Sequence, residues 1–505
     1  MFSKIYSAHL SGIEGVLIDV EVDMSSNGLP AFGIVGLAEA SVRESKDRVR
    51  SALKNIGFNI FTRPITVNLA PADFKKEGTR LDLPMAVGLL KSAKAFEGDT
   101  DETIFIGELS LDGRIRPVSG ILPIASSIQK KGFRRIVLPE GNVTEASLVD
   151  GLEIVGVENL SQVLAWLMGR EEIKPVYGDA SRLEAKRGSA HDFRDVKGQY
   201  TARRASLIAA AGMHNILMIG PPGSGKTMIA RRLPGILPPM ATEDALETLK
   251  IHSVAGTAGE IERPVLERPF IAPHHTSSNA AIIGGTGKAL PGHVSLAHNG
   301  ILFLDEMLEF NRSLLETLRQ PLEDRIVTVA RAGKTVTYPS SFMLVGACNP
   351  CPCGYFGDKK RECTCSQSTI NKYRMRLSGP LLDRIDIHME MQAVELKELA
   401  ELEDGEPSES MADKVLAARE AQNRRFGGNG FNAGMSEQDI KKHCRLDDKS
   451  MKMLENACDK YGYSARAYAK ILKVARSIAD LESSSDIQSR HILEALHYRV
   501  LDRQA

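Results

Sequence analysis

At 505 residues the chain is too long for a single hydrophobic core, and typical domain sizes point to about three domains. Its 43% hydrophobic and 25% charged content is that of a globular protein, no apolar run is long enough to span a bilayer, and the N-terminal MFSKIYSAHLSGIEG lacks the apolar core of a signal peptide, which argues against membrane and secretory classes and for a cytoplasmic protein. Lysine plus arginine equals aspartate plus glutamate at 64 each, so any nucleic-acid partner has to be held by local basic patches, not by overall charge.

Residues 1–168 read as a self-contained α/β domain. Val16–Val22 (VLIDVEV) and Ile65–Leu69 (ITVNL) have strand patterns. Between them Val42, Val49, Leu53 and Ile56 recur at helical spacing, while Arg43, Lys46, Arg48, Arg50 and Lys54 make a basic face that is either solvated or set against a phosphate backbone. The stretches KKEGTRLDLPMAVGLL from Lys75 and FIGELSLDGRIRPVSGILPIASSI from Phe105, through IVLPEGN ending at Asn142, resemble the proteolytic domain of Lon proteases. Such peptidases use a serine activated by a lysine. Here the serine position is Arg80 and the lysine position Leu122, so the resemblance implies the fold without peptidase activity.

Residues 169–190 are polar, without sustained periodicity, and read as a linker. DFRDVKGQ (Asp192–Gln199) then precedes a helical run from Ala202 to Ala211, and resembles the segment that closes over adenine in AAA+ ATPases, with Val196 and Gly198 as contacts. The apolar strand Ile216–Ile219 leads into GPPGSGKT: Gly220, Pro221, Pro222, Gly223, Ser224, Gly225, Lys226 and Thr227. This is a phosphate-binding loop. Its glycines let backbone N–H groups turn toward a polyphosphate, the lysine reaches the β/γ-phosphates, and the threonine holds Mg²⁺. ATP and Mg²⁺ are therefore the expected cofactors.

Downstream, Arg268–Gly300 carries adjacent His274 and His275, for which a structural or substrate-facing role is favoured over a metal because no cysteine or acidic partner stands at ligand spacing. ILFLDE (Ile301–Glu306) is an apolar strand ending in two acids: Asp305 for Mg²⁺ and Glu306 as the base that activates water. A helix around Arg312–Leu322 is followed by two strand patterns flanking Ala332–Gly333, hence a hairpin with Arg331 and Lys334 at its tip, either solvated or touching DNA. Phe342–Ala347 is another buried strand, and Asn349 at its end resembles sensor 1, which fixes the hydrolytic water.

Of seven cysteines, five lie between Cys348 and Cys365. Cys351, Cys353, Cys363 and Cys365 form two C-x-C pairs across a polar loop and can converge on Zn²⁺ or remain free thiols, whereas Cys348 reads as core packing. SGPLLDRIDIHMEM (Ser378–Met391) resembles the segment bearing the AAA+ arginine finger, here Arg384. The remainder is helical in pattern, broken at EDGEPSES and FGGNGFNAGM, and Arg466 stands where AAA+ lids place sensor 2.

The Lon-like N-terminus, APHHTSS, SLAHNG, ILFLDE, the cysteine loop and SARAYAKILKVARSIADLE together resemble the YifB/ComM family of magnesium-chelatase-like AAA+ ATPases. The resemblance implies a multidomain α/β protein: a Lon-protease-like domain without the catalytic dyad (1–168), a linker (169–190), an AAA+ P-loop α/β domain (191–393) and a C-terminal helical lid (394–505). It further implies a hexameric, ATP-driven, branch-migrating DNA helicase of recombination and natural transformation, with recombination proteins as possible partners. A chelatase-type or protein-remodelling motor subunit, or an ATP-gated scaffold on DNA, are the competing classes.

Overall fold

The alternation near the N-terminus forms a long antiparallel pair, β1 (Phe2–Ser11) and β2 (Glu14–Met24), in which Ile18, Val20 and Val22 are buried from alternate positions. The computed structural model describes residues 1–25, 28–183, 191–257, 267–285, 289–331, 334–358, 360–392, 403–499 and 501. It divides into two compact units, residues 1–184 with 242–265, and the rest.

In the first unit β3 (Ala31–Val35), β4 (Pro64–Ala70), β5 (Thr103–Phe105), β8 (Arg135–Pro139), β9 (Glu153–Val157) and β10 (Val176–Tyr177) join β1 and β2 in a mixed eight-stranded sheet of order β10-β9-β8-β5-β1-β2-β4-β3. β6 (Glu108–Leu109) and β7 (Ile115–Arg116) pair separately. The helix Asp82–Ser92 is buried at almost every position, each enclosed Leu or Val contributing roughly 1.5–3 kcal/mol. Its first residue corrects one expectation. Arg48, expected on a solvated basic face, gives Nε and Nη2 to the Asp82 carboxylate at 2.6 and 3.1 Å. Burial pushes that carboxyl up, and Arg48 opposes the shift by supplying the countercharge.

Two boundaries also differ from the sequence reading. Val176–Tyr177 pairs antiparallel with β9, so the first part of the stretch read as a linker is sheet edge. The helix Thr242–Ala255, which follows the phosphate loop in sequence, belongs to the first unit: it packs against the helix Ile121–Lys130, and its Ser253 carbonyl accepts from Gly120 N–H at 3.0 Å. Burying Ala245, Ile251 and Val254 outweighs sequence proximity there.

The groups expected at the positions of a Lon dyad, the Arg80 guanidinium and the Leu122 side chain, are both buried. The Nε and Nη1 atoms of Arg80 are shut from solvent with no hydrogen-bond partner among the described residues, and burial brings its pKa down to about 10. The Leu122 side chain is buried, and its N–H donates to Glu145 Oε1 at 3.0 Å.

The second unit is built on a wholly parallel sheet: β11 (Ile216–Ile219), β12 (Phe270–Ile271), β13 (Ile301–Leu304), β16 (Met343–Cys348) and β17 (Ile387–Glu390), in the five-stranded order β12-β13-β16-β11-β17. β14 (Ile326–Arg331) and β15 (Lys334–Pro339) form the expected antiparallel hairpin. β11, β13 and β16 are apolar throughout, as strands covered on both faces require. The helix expected around Arg312–Leu322 is two short ones, Arg312–Thr317 and Arg319–Asp324.

Helices Ser408–Phe426, Glu437–His443, Asp448–Tyr461, Ala465–Leu481 and Ser489–His497 make the C-terminal part. Ser436, Asp447 and Ser464 cap their helices from the N-terminal side, and Gly427 and Gly462 close two of them at φ +68° and +66°. These helices share one hydrophobic core with the sheet. A polar seam joins them as well: His214 Nε2 meets Ser477 Oγ at 2.7 Å, Asn432 Nδ2 reaches Ser477 Oγ and Asp480 Oδ2, and Arg425 and Arg476 both pair with Asp480. Among the described residues no helix is long and apolar enough to cross a membrane.

Asp386, 3% exposed, anchors this seam to the sheet by pairing with Lys470 and accepting from Asn215 N–H at 2.8 Å. Burial alone would raise its carboxyl, but Lys470 and His214 outweigh that and hold it far below the usual carboxylate range. A depressed folded-state value means stabilisation that is present at neutral pH and lost in acid. Asp386→Asn is therefore expected to lower the unfolding free energy by about 3–5 kcal/mol in urea titrations at pH 7. The gap to wild type should narrow as the pH falls through and below the ordinary carboxylate range.

Candidate nucleotide site

Open parallel sheets bind ligands at the carboxyl ends of their strands, and β11 delivers the glycine-rich loop there between two later strands, β16 and β17. Gly223 and Gly225 adopt φ +77° and +90°, the left-handed region that glycine enters without strain, and Gly225 leads directly into the helix Lys226–Ala230. Gly220 is needed for space: a Cβ there would lie 2.6 Å from the Met391 carbonyl oxygen and 2.8 Å from Ser224 Oγ.

The Lys226 ammonium donates to the carbonyls of Gly220 (2.7 Å) and Pro221 (3.0 Å) and lies 3.3 Å from Asn349 Oδ1. Burial lowers its pKa. Thr227 Oγ1 donates to Asp305 Oδ2 at 2.9 Å, so a hydroxyl and a carboxylate converge as hard oxygen donors suited to Mg²⁺. Lys226, Thr227, Asp305 and Asn349, spread over more than a hundred residues of sequence, are thus joined by direct hydrogen bonds.

Glu306 follows Asp305 in the left-handed region at φ +50°, an uncommon conformation for a non-glycine residue and one that clusters at functional sites. Its Oε2 lies 3.4 Å from His275 Nδ1. The His275 ring stacks at 4.2 Å on His274, whose Nδ1 meets Thr276 Oγ1. This partner of Glu306 was invisible to spacing rules, because nothing in APHHTSS aims a ring at a strand end thirty residues on; two adjacent histidines were the only signal.

The segment expected to close over adenine divides. The Val196 side chain is fully enclosed in the core. Gly198 has φ +64°, and the next residue, Gln199, bridges Ser224 O (3.0 Å) and Gln392 O (2.8 Å) through Nε2, a link that sequence reading missed.

Arg384 and Arg466 are brought to each other through one carboxylate, not to the loop residues. Arg384 Nη2 pairs with Glu323 Oε2, Arg466 Nη2 stands 3.6 Å from Glu323 Oε1, and Arg384 Nη1 donates to Pro380 O at 2.7 Å. Both line a cavity of about 320 Å³ together with Arg325, Lys470 and Lys473. Glu323 was not foreseen; it is an ordinary acid in an amphipathic stretch until the chain folds.

Arg331 and Lys334 face each other as the last register pair of β14 and β15, while their side chains and residues 332–333 lie outside the described residues. Among the described residues, Cys351, Cys353, Cys363 and Cys365 bring their sulfurs within 4.8 Å of one another. Cys351 and Cys353 are 3.3 Å apart, and each is 3.6 Å from Cys363. A hydrogen bond from the Tyr355 backbone, with further donors, draws the Cys353 thiol down to about 6. Cys348 is outside the group, buried at the end of β16, where burial raises its thiol to about 12.

Comparison with known proteins matches three stretches to one family: residues 192–399 to magnesium chelatase, subunit ChlI; 20–142 to subunit ChlI of Mg-chelatase; and 405–499 to the ChlI C-terminal region. Over 505 residues the chain is 42% identical to the competence protein ComM of Haemophilus influenzae, covering 99% of this chain and 97% of that protein. It is 40% identical over 504 residues to YifB of Escherichia coli, with the same coverage. Over 165 residues it is 27% identical to Lon protease 2 of Bacillus subtilis, covering 30% of each chain.

The space around Gly220 gives a direct test of the loop geometry. Gly220→Ala forces a Cβ against Met391 O and Ser224 Oγ and is expected to cost about 1–3 kcal/mol in stability, read as a lowered midpoint in thermal melting.

Proposed function

The chain belongs to the YifB/ComM family of magnesium-chelatase-like AAA+ ATPases, and from that premise we propose that it is a ring-forming, Mg²⁺-dependent ATPase that moves DNA. The observation that carries the ATPase reading is the convergence of Lys226 with Asn349 and of Thr227 with Asp305 at the carboxyl ends of adjacent strands. In this reading the loop N–H groups and Lys226 take the β/γ-phosphates, and Thr227 and Asp305 hold Mg²⁺, which neutralises charge on the phosphate oxygens. Glu306 accepts the proton of the attacking water, and Asn349 orients that water.

Arg384 and Arg466, paired through Glu323 and away from Lys226, fit a role on the nucleotide of a neighbouring subunit. An arginine finger supplied in this way contributes roughly 10³–10⁵ in rate. Contacts of that head-to-tail kind close into rings, here a homo-hexamer. The soft, four-sulfur donor set of Cys351, Cys353, Cys363 and Cys365 suits Zn²⁺.

DNA as the substrate rests on the likeness to ComM and on the β14–β15 hairpin, whose Arg331 and Lys334 are suited to phosphates. Movement of the hairpin with ATP state would drive branch migration at recombination junctions in the cytoplasm. The description magnesium chelatase, subunit ChlI, favours a second reading, a motor subunit serving a metal-inserting partner.

Two measurements test these steps. Glu306→Gln is expected to keep ATP binding and to lose turnover by at least a hundredfold; normal turnover would remove Glu306 as the base. ATP hydrolysis should rise with single-stranded or junction DNA, in a manner that falls steeply with salt, and Lys334→Ala should weaken both the stimulation and strand displacement from a labelled four-way junction. Hydrolysis indifferent to every DNA would favour the chelatase-type reading.

A further inference from the structure

We infer that the four-cysteine loop is a metal-dependent buttress of the phosphate loop, so that metal occupancy sets the affinity for nucleotide. The inference rests on the nucleotide and Zn²⁺ readings above and adds a dependence of one on the other.

The chain between β16 and the cysteines runs along the phosphate loop. Gly220 N–H donates to the Cys348 carbonyl at 3.2 Å, and the Asn349 side chain meets Lys226. Five residues on, Gly354 lies so close that a Cβ on it would stand 2.8 Å from Pro222 Cδ and 3.9 Å from Asn349 Cγ. Its φ of +87° allows that approach only to a residue without a side chain. Cys351 and Cys353 sit inside this interval, between the Asn349 contact and the Gly354 contact. Cys351 is fully buried, its carbonyl accepts from Gly354 N–H at 3.0 Å, and its Sγ accepts from Phe356 N–H at 3.3 Å.

Within the loop, Asp358 accepts from the Lys360 and Arg361 N–H groups at 2.7 and 2.9 Å, and Arg361 reaches the Tyr355 hydroxyl. The loop's described residues from Cys351 to Ser366 form neither helix nor strand, and its composition, CPCGYFGDKKRECTCS, supplies few apolar groups to bury. Outside the sulfurs, Arg374 stacks on Phe356 and donates to the Pro350 carbonyl. Four thiolates about 2.3 Å from a single Zn²⁺ stand about 3.8 Å apart, close to the 3.3 and 3.6 Å separations present here. An ion in that position ties Cys363 and Cys365, on the far arm, to Cys351 and Cys353. Gly354 is thereby fixed on Pro222 and Asn349 beside Lys226. Removing the ion frees the interval 350–356, and with it the wall on which the phosphate loop rests.

The experiment measures zinc content by atomic emission and binding of a fluorescent ATP analogue on the full-length protein, before and after treatment with a zinc chelator. One zinc per chain is expected, with affinity falling at least tenfold on stripping and returning when ZnCl₂ is restored. Cys363→Ser/Cys365→Ser, whose changes lie away from the phosphate loop, should reproduce the loss without rescue. Should stripping unfold the protein by circular dichroism, Gly354→Ala decides: zinc retained with affinity at least tenfold weaker supports the buttress, and unchanged affinity overturns it. Protein that neither contains nor takes up zinc overturns the metal reading and the inference together. Zinc bound with affinity within twofold of the stripped state overturns the buttress alone. Zinc-loaded wild type that binds no nucleotide overturns the ATPase reading and the inference with it.

Discussion

The buried carboxylate of Asp386 is the fixed point of the second unit. It stands at the entrance to β17, accepts from the backbone of Asn215 at the entrance to β11, and pairs with Lys470 on the helix Ala465–Leu481. Both strands and the C-terminal helix are thereby registered to one charge. Two residues before it is Arg384, whose carbonyl also receives Lys470 and Asn215; one turn before Lys470 is Arg466. The meeting of the two arginines at Glu323 therefore follows from where the Asp386 pair clamps the helix. A buried charge is costly unless fully partnered, and the same cost makes it an exacting locator.

The nucleotide side is organised differently, by backbone close to backbone. Three glycines let the loop turn without strain or collision, and the parallel strands present Thr227, Asp305 and Asn349 side by side because β11, β13 and β16 all end at one edge. Glu306 belongs to that edge but is held by His275, which arrives after β12. The proposed nucleotide site thus draws on the sheet for position, on His275 as the partner of Glu306, and on the chain beyond β16 for the close approach of Gly354 to Pro222.

In the first unit packing dominates around the residues expected at the Lon dyad positions. The Arg80 guanidinium and the Leu122 side chain are both buried, and the helix Thr242–Ala255 lies against the neighbouring Ile121–Lys130. The likeness to a Lon protease extends over 165 residues at 27% identity, and a shared fold does not by itself carry a reaction.

Local features were legible in the sequence because their physics is local. GPPGSGKT announces its turn through glycines, ILFLDE announces a buried strand with acids at its end, and two C-x-C pairs announce a cluster through spacing alone. The hairpin of β14 and β15 and the helical C-terminus followed from periodicity in the same way. What tertiary structure decided were the pairings between distant segments: Glu306 with His275, Arg384 and Arg466 with Glu323, Arg48 with Asp82, Gln199 with Ser224, and the helix Thr242–Ala255 with the first unit. Such partners are chosen by burial and the need to satisfy charge, which act through space. Spacing along the chain carries no trace of them until the strands are laid side by side.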